Sequence, residues 1–134
     1  MRITHLLDTN IVSDLVRRPR GVVRDRIAEI GPDAVGVNVI VAAELRYGCI
    51  KKGSSALTKQ VDQILNAINI LPLEAGLEHH YARIRRDLDI RGTPIGPNDF
   101  LIAAHVVQLN CCLVTANREE FGRVPELRVE NWLE

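Results

Sequence analysis

Short apolar runs along this chain alternate with stretches in which apolar residues recur every three or four positions, a pattern that predicts alternating strands and helices. Ile3 to Leu7 reads as a short buried strand, and Asp8 or Thr9 can cap a helix running to about Arg18. Pro19 and Gly21 interrupt the pattern before a second short helix, Val22 to Ile30. Gly31-Pro32-Asp33 marks a turn, and Ala34 to Val37 is expected to be a strand. Helical spacing returns from Ile40 to Lys52, and after the Gly53-Ser54-Ser55 loop an amphipathic helix spans Ala56 to Ala67. Ile68 to Leu73 is predicted as a strand ending near Pro72. A long helix, Glu74 to Arg91, follows on Leu77, Tyr81, Ile84 and Leu88. Gly92 to Pro97 is a loop. Pro97 lacks an N–H and so suits the start of the helix Asn98 to Leu109. Cys111 to Thr115 is a strand, and Arg128-Val129 an edge strand.

Strands alternating with helices imply an α/β sandwich around a mainly parallel sheet. With 134 residues and no linker, repeat or low-complexity tract, residues 1–134 are expected to form one domain that buries ~68–70% of its unfolded surface. Aromatics make up only 4% of the chain, so the core must rest on Leu, Ile, Val and Ala. No apolar run approaches the roughly 18 residues of a membrane span, and the N-terminus lacks the pattern of a secretory signal. Cys49, Cys111 and Cys112 form neither an even disulfide framework nor a metal-type spacing, which points to a reducing cytoplasm. The four histidines show no His-x-x-His spacing, and His5 and His105 stand alone, so zinc is not expected. Phosphate-loop, dinucleotide and serine-elbow motifs are absent.

The chemistry gathers on acids. Asp8 sits where the first apolar run stops, Glu44 lies in Ala42-Ala43-Glu44-Leu45, and Asp99 lies in Gly96-Pro97-Asn98-Asp99-Phe100. Asn117 follows the run that ends at Thr115. Open α/β sheets bind ligands outside the carboxyl ends of their strands, so these positions can converge on one cleft. Hard oxygen ligands gathered there suit Mg²⁺ or Mn²⁺ and phosphodiester hydrolysis. Each acid also has an ordinary reading: Asp8 and Asp99 as helix caps, Glu44 as a surface partner of Arg46 or Lys51. Convergence favours a cation, because clustered carboxylates repel unless one is protonated or a metal sits between them. Net charge is zero, but sequestering the acids leaves a basic remainder. Arg17, Arg18, Arg46 and Lys51 are candidates to face phosphates, and the alternative is that they sit on solvated helix faces.

The chain resembles the VapC-type toxins of VapBC toxin–antitoxin pairs, which are PIN-domain ribonucleases. The resemblance rests on Leu7-Asp8-Thr9-Asn10-Ile11, Ala43-Glu44-Leu45-Arg46-Tyr47-Gly48, Pro94 to Asp99 with Ile102-Ala103-Ala104-His105, and Leu113-Val114-Thr115-Ala116-Asn117. The tail from Glu120-Phe121 through Asn131-Trp132 matches as well. The resemblance implies a three-layer PIN sandwich and an endoribonuclease with catalytic Asp8, Glu44 and Asp99. It implies Mg²⁺, replaceable by Mn²⁺, held by Asp8 and Asp99 with Glu44 and Asn117 as further candidates. Thr9, Asn10, Thr115, Asn117 and Glu120 are expected to orient those ligands through hydrogen bonds. A VapB-type antitoxin, an RNA substrate such as the anticodon loop of a tRNA (the initiator tRNA among them), and a homodimer are the implied partners. The common Thr-Asn-Asn run reads Thr115-Ala116-Asn117 here, one amide fewer, which bears on whether a second metal binds. Two rival readings are a catalytically silent PIN scaffold and a haloacid-dehalogenase-type phosphatase. The phosphatase needs a second Asp where this chain has Asn10.

Overall fold

Five parallel strands form one sheet in the order β3-β2-β1-β4-β5 in the computed structural model, which describes residues 2–134. The elements run β1 (His5–Leu7), α1 (Thr9–Arg17), α2 (Val22–Ile30), β2 (Val35–Asn38), α3 (Val39–Lys52), α4 (Ser55–Ala67), β3 (Asn69–Leu71), α5 (Leu77–Arg91), α6 (Pro97–Leu109), β4 (Cys112–Val114), α7 (Arg118–Phe121) and β5 (Arg128–Glu130). A single 3₁₀ turn, Pro32–Ala34, leads into β2. Adjacent residues on a strand point to opposite faces, yet Leu6 and Leu7 on β1 and Leu113 and Val114 on β4 are all wholly buried. Both faces of the sheet are therefore covered by helices, as a parallel sheet requires. These strands, with Val35 and Val37 of β2 and Ile102, Ala103 and Ala104 of α6, form the centre of the core.

Several boundaries differ from the sequence reading for identifiable reasons. Ala34 belongs to the 3₁₀ turn, and β2 extends to Asn38, whose side chain caps α3. The helix expected from Glu74 starts at Leu77, because Gly76 adopts a left-handed φ of 103° that no helix continues through. The loop after β4 holds the four-residue α7, too short for a periodicity to reveal.

The chain begins at the middle of the sheet, winds outward to β3, then crosses back to lay β4 on the other side of β1. The strand order therefore reverses between β1 and β4, and the crevice at their carboxyl ends is the natural ligand position of such a sheet. Asp8 directly follows β1, and Thr115 directly follows β4.

A buried polar pair links the two helices beside that crevice. Asn38 Oδ1 accepts from the Val41 amide at 2.9 Å, capping α3, and Asn38 Nδ2 donates to His105 Nδ1 of α6 at 3.1 Å. Burial lowers the His105 pKa and favours the neutral ring that accepts this bond. Replacing Asn38 by Ala removes a cap and orphans a buried ring nitrogen, for an expected loss of about 2 kcal/mol in chemical denaturation. Asn38→Asp keeps the cap acceptor without the donor and should fall between Ala and wild type. Equal stability of all three would show that the pair does not tie α3 to α6.

Candidate active site

Three helix starts and the middle of one helix supply the crevice. Asp8 caps α1, Asp99 lies in the first turn of α6, and Asn117 caps α7, while Glu44 projects from the middle of α3. Asp8, Glu44, Asp99 and Asn117 line one open cleft of about 430 Å³, together with Thr9, Asn10, Ser13 and Arg17.

Hydrogen-bond donors hold the acids in place. Asp8 is only 5% exposed; its Oδ1 accepts from the Thr9 amide at 2.8 Å and its Oδ2 from the Thr115 hydroxyl at 2.8 Å. Asn10 Nδ2 adds a longer contact to the same Oδ2 at 3.3 Å, and its Oδ1 is fixed by the Ala116 amide at 2.9 Å. The Thr9 hydroxyl donates to Glu44 Oε1 at 2.6 Å, so neighbouring atoms of one residue orient two different carboxylates. Glu120 Oε1 accepts from the Gly96 amide at 2.7 Å and Oε2 from Asn117 Nδ2 at 2.7 Å. Asn117 Oδ1 faces the Glu120 amide at 3.4 Å, so the residue serves as a helix cap and a cleft wall at once. A Cβ added at Gly96 lies 3.1 Å from Asp99 Oδ2, so the glycine lets the loop pass close to that carboxylate.

The electrostatics are those of a crowded acidic site. Burial raises the Asp8 pKa, the Thr115 and Thr9 hydrogen bonds pull it back, and the Glu44 charge raises it further. Asp99 is pushed up to about 8, first by burial, then by sharing its proton with Glu120 and by the charges of Glu120, Asp8 and Glu44. Glu120 is lowered in turn, chiefly by accepting that proton's hydrogen bond. Among the described residues no Arg or Lys lies within ion-pair distance of Asp8, Glu44 or Asp99. Arg17 borders the cleft but turns toward Asp14 at 3.9 Å. A hard divalent cation fits this donor set, which is all oxygen and lacks a counterion of its own.

Other sequence candidates land elsewhere. Arg18 pairs with Asp14, Arg46 with Asp62, and Lys51 lies 6.0 Å from the Tyr47 ring centre; none of the three lines the cleft. Cys111 and Cys112 are raised to about 11 and about 12 by burial, so neither thiol is a nucleophile at neutral pH. Ser13 and Gly96 were not singled out from sequence; a lone Ser in a helix gives no signal, whereas Gly96-Pro97 at a helix start does. His5 is not isolated, because the register of β1 with β4 brings it beside Cys112 and Glu130, away from the cleft.

The crevice is an acidic cleft at the carboxyl end of a parallel sheet, and comparison with known proteins gives the family. The PIN domain profile matches residues 5–127, and the chain belongs to the PIN-domain family. Ribonuclease VapC2 of Rickettsia felis is 35% identical over 130 residues, covering 96% of this chain and 97% of the relative. The tRNA(fMet)-specific endonuclease VapC of Shigella flexneri is 31% identical over 128 residues, covering 95% of this chain and 96% of the relative. The toxin–antitoxin complex VapBC2 of Rickettsia felis, solved with a promoter DNA fragment, contains a chain that superposes with a TM-score of 0.86 at 32% identity, covering 97% of this chain and 99% of that one. No helix among the described residues is long and apolar enough to cross a membrane.

The sign of the site's pH dependence follows from Asp99. Its folded pKa lies above the ordinary value of 3.8, so between about pH 4 and pH 8 the folded chain holds a proton that the unfolded chain has lost. Stability from this group is complete below about pH 4 and disappears as pH rises through about 8; Glu120 acts in the opposite sense near its own ordinary range. In chelator, the melting temperature should therefore fall from about pH 5 to pH 8 and level off above it. Asp99→Asn should flatten that slope. An unchanged slope in Asp99→Asn would place the titrating group elsewhere.

Proposed function

We propose that this chain is a metal-dependent endoribonuclease and the toxin of a cytoplasmic toxin–antitoxin pair. The observation that carries this reading is the convergence of Asp8, Glu44 and Asp99, with no Arg or Lys among the described residues in ion-pair distance of them, at the β1/β4 switch point of a PIN fold. Asp8 and Asp99 are the residues that would hold Mg²⁺ or Mn²⁺, with Glu44 completing the charge and Asn117 contributing an uncharged amide. When bound, such an ion withdraws charge from phosphoryl oxygens and makes water acidic enough to attack phosphorus near neutral pH.

The chain's own residues supply the geometry. Thr9 and Thr115 fix the Asp8 carboxylate, Thr9 turns Glu44 inward, and Glu120 steers Asp99. Of the two oxygens on each acid, the lone pairs not engaged by these donors remain for the cleft. Among the described residues no histidine, cysteine or lysine lines the cleft, and water is the nucleophile this reading requires. Among the described residues Arg17 is the cation that lines the cleft, suited to draw an RNA backbone inward. A shallow open cleft favours single-stranded RNA, since a duplex holds its phosphates away. With a relative that acts on tRNA(fMet), we take the anticodon loop of initiator tRNA as the substrate.

A toxin of this kind needs restraint, and the surface offers a place for it. An apolar groove of about 350 Å³, walled by Val16, Leu45, Cys49, Leu57 and Val61, adjoins the cleft. Groove and cleft share Thr9, Ser13, Arg17 and Glu44, so an antitoxin segment lying in one blocks the other. A homodimer completes the proposal, with exposed Tyr47 and Ile50 on α3 and Ile90 on α5 as apolar residues for it to cover.

Purified protein incubated with total tRNA should cut in Mg²⁺ and stop in EDTA, with cleavage sites mapped by end sequencing. Asp8→Asn and Asp99→Asn should each abolish cutting while remaining folded, because they remove a charge with little change in volume. RNA that binds but is never cut would favour a silent scaffold. In cells, the chain alone should halt growth and a neighbouring small gene should restore it; normal growth with abundant soluble protein would sink the toxin assignment.

A further inference from the structure

A second cluster of ligand atoms lies at the beginnings of β1 and β4, about 10 Å along β1 from Asp8. His5 and Cys112 are register partners, Cys112 pairs with Arg128, and Glu130 is two residues further along β5, so His5, Cys112 and Glu130 share one face of the sheet. One atom from each of the three lies within 4.8 Å of the other two. A pocket of about 460 Å³ opens beside them.

The hydrogen bonds around the cluster turn the ligand atoms toward one another; the Cys112 thiol bonds Glu130 and lies 3.8 Å from the Leu113 carbonyl. The Thr4 hydroxyl lies 2.8 Å from His5 Nδ1 and 3.3 Å from the Ala34 carbonyl, so it anchors the ring by its Nδ1 edge. The other ring nitrogen, Nε2, faces Glu130 Oε2 at 3.6 Å. A hydrogen-bonding partner at Nδ1 with Nε2 facing the cluster is the support that metal-ligating histidines use, and a bound ion selects the tautomer with the proton on Nδ1. Glu130 is arranged likewise: Oε1 takes Trp132 Nε1 at 3.0 Å and Arg26 at 3.5 Å, leaving Oε2 for the cluster. The other nearby cations, Arg2 and Arg128, are each tied to the Asn110 carbonyl at 2.8 Å.

We propose that His5 Nε2, Cys112 Sγ and Glu130 Oε2 form a binding site for a thiophilic divalent cation of the zinc class, distinct from the acidic cleft. A sulfur–nitrogen–oxygen donor set selects zinc over magnesium, and a thiolate with a carboxylate neutralises its charge. Zinc–ligand bonds of ~2.0–2.3 Å place tetrahedral ligand atoms about 3.3–3.6 Å apart, so closure needs small side-chain rotations only. Binding exchanges the Cys112 thiol proton for the ion, and the pocket leaves the fourth position to water. Such an ion clips the edge strand β5 to β1 and β4. The competing arrangement is a metal-free imidazolium–carboxylate pair beside an inert thiol.

Untagged full-length protein, stripped with chelator, is titrated with Co²⁺ and then Zn²⁺. One equivalent of Co²⁺ should give a near-ultraviolet thiolate-to-cobalt band that Zn²⁺ displaces. Cys112→Ser should lose the band and weaken zinc binding at least about tenfold, whereas Cys111→Ser and Asp8→Asn keep both. His5→Gln and Glu130→Gln should weaken cobalt and zinc binding in parallel, which carries the test if Cys112→Ser does not fold. Thr4→Val should cost about 10–100-fold in affinity. Absence of the band in wild type, or its survival in a folded Cys112→Ser protein, overturns the site. The readout is spectroscopic and involves no RNA, so it stands or falls apart from the nuclease proposal.

Discussion

Everything at the carboxyl end of the sheet is organised around negative charge that has no positive partner. Asp8, Glu44 and Asp99 line one cleft, and burial makes the charges of Asp8 and Asp99 more costly than they are in water. The metal-free chain manages this with neutral donors and one retained proton. Thr9 and Thr115 stabilise Asp8, Thr9 also serves Glu44, and Asp99 shares a proton with Glu120. An arginine in the cluster would be the simpler solution for stability alone. Its absence leaves the site destabilised in the way a cation-binding site is, with stability deferred to the ion.

The secondary structure reinforces this placement. Asp8 and Asp99 lie at helix N-termini, where the macrodipole favours a carboxylate, although burial outweighs that contribution in the raised pKa of both. Glu44 has no helix end to help it and depends on the Thr9 hydroxyl. Its backbone position is set by α3, which Asn38 caps and ties to α6 through His105. The two helices that bear Glu44 and Asp99 are thus linked by a buried hydrogen bond that involves neither acid.

The sequence disclosed those features that local patterning encodes. An apolar run ending in Asp8, a mid-helix Glu44 behind two alanines and an acid after Gly96-Pro97 are each visible without coordinates, and the fold brings all three together. The alternation of runs and periodic stretches gave the parallel architecture, since each crossover needs a helix. What stayed hidden depends on pairing across the sheet. Asn38 and His105 are 67 positions apart, and His5, Cys112 and Glu130 come together only through strand register, which spacing in one chain cannot express. The charge clusters misled for a related reason: Arg18 and Arg46 read as free cations until Asp14 and Asp62 are placed beside them.

The two ends of the central strands present chemically opposed donor sets within one short sheet. Where β1 and β4 end, carboxylates and hydroxyls converge, a hard environment open to water. Where they begin, an imidazole and a thiol meet a carboxylate whose other oxygen is already committed to Trp132 and Arg26. Strands β1 and β4 are each only three residues long, so they contribute few ladder hydrogen bonds and hold position mainly through their buried faces. Constraint at one end of such a strand is transmitted to the other, because Leu6, Leu7, Leu113 and Val114 between them are wholly buried and closely packed. Asp8 takes its backbone position from the Val114 carbonyl at 2.9 Å, and Thr115 takes its own from the Glu130 carbonyl at 2.9 Å. The hydroxyl that orients Asp8 is thereby registered to the same residue whose carboxylate closes the opposite cluster, so the geometry of the acidic cleft rests partly on how firmly β5 is held.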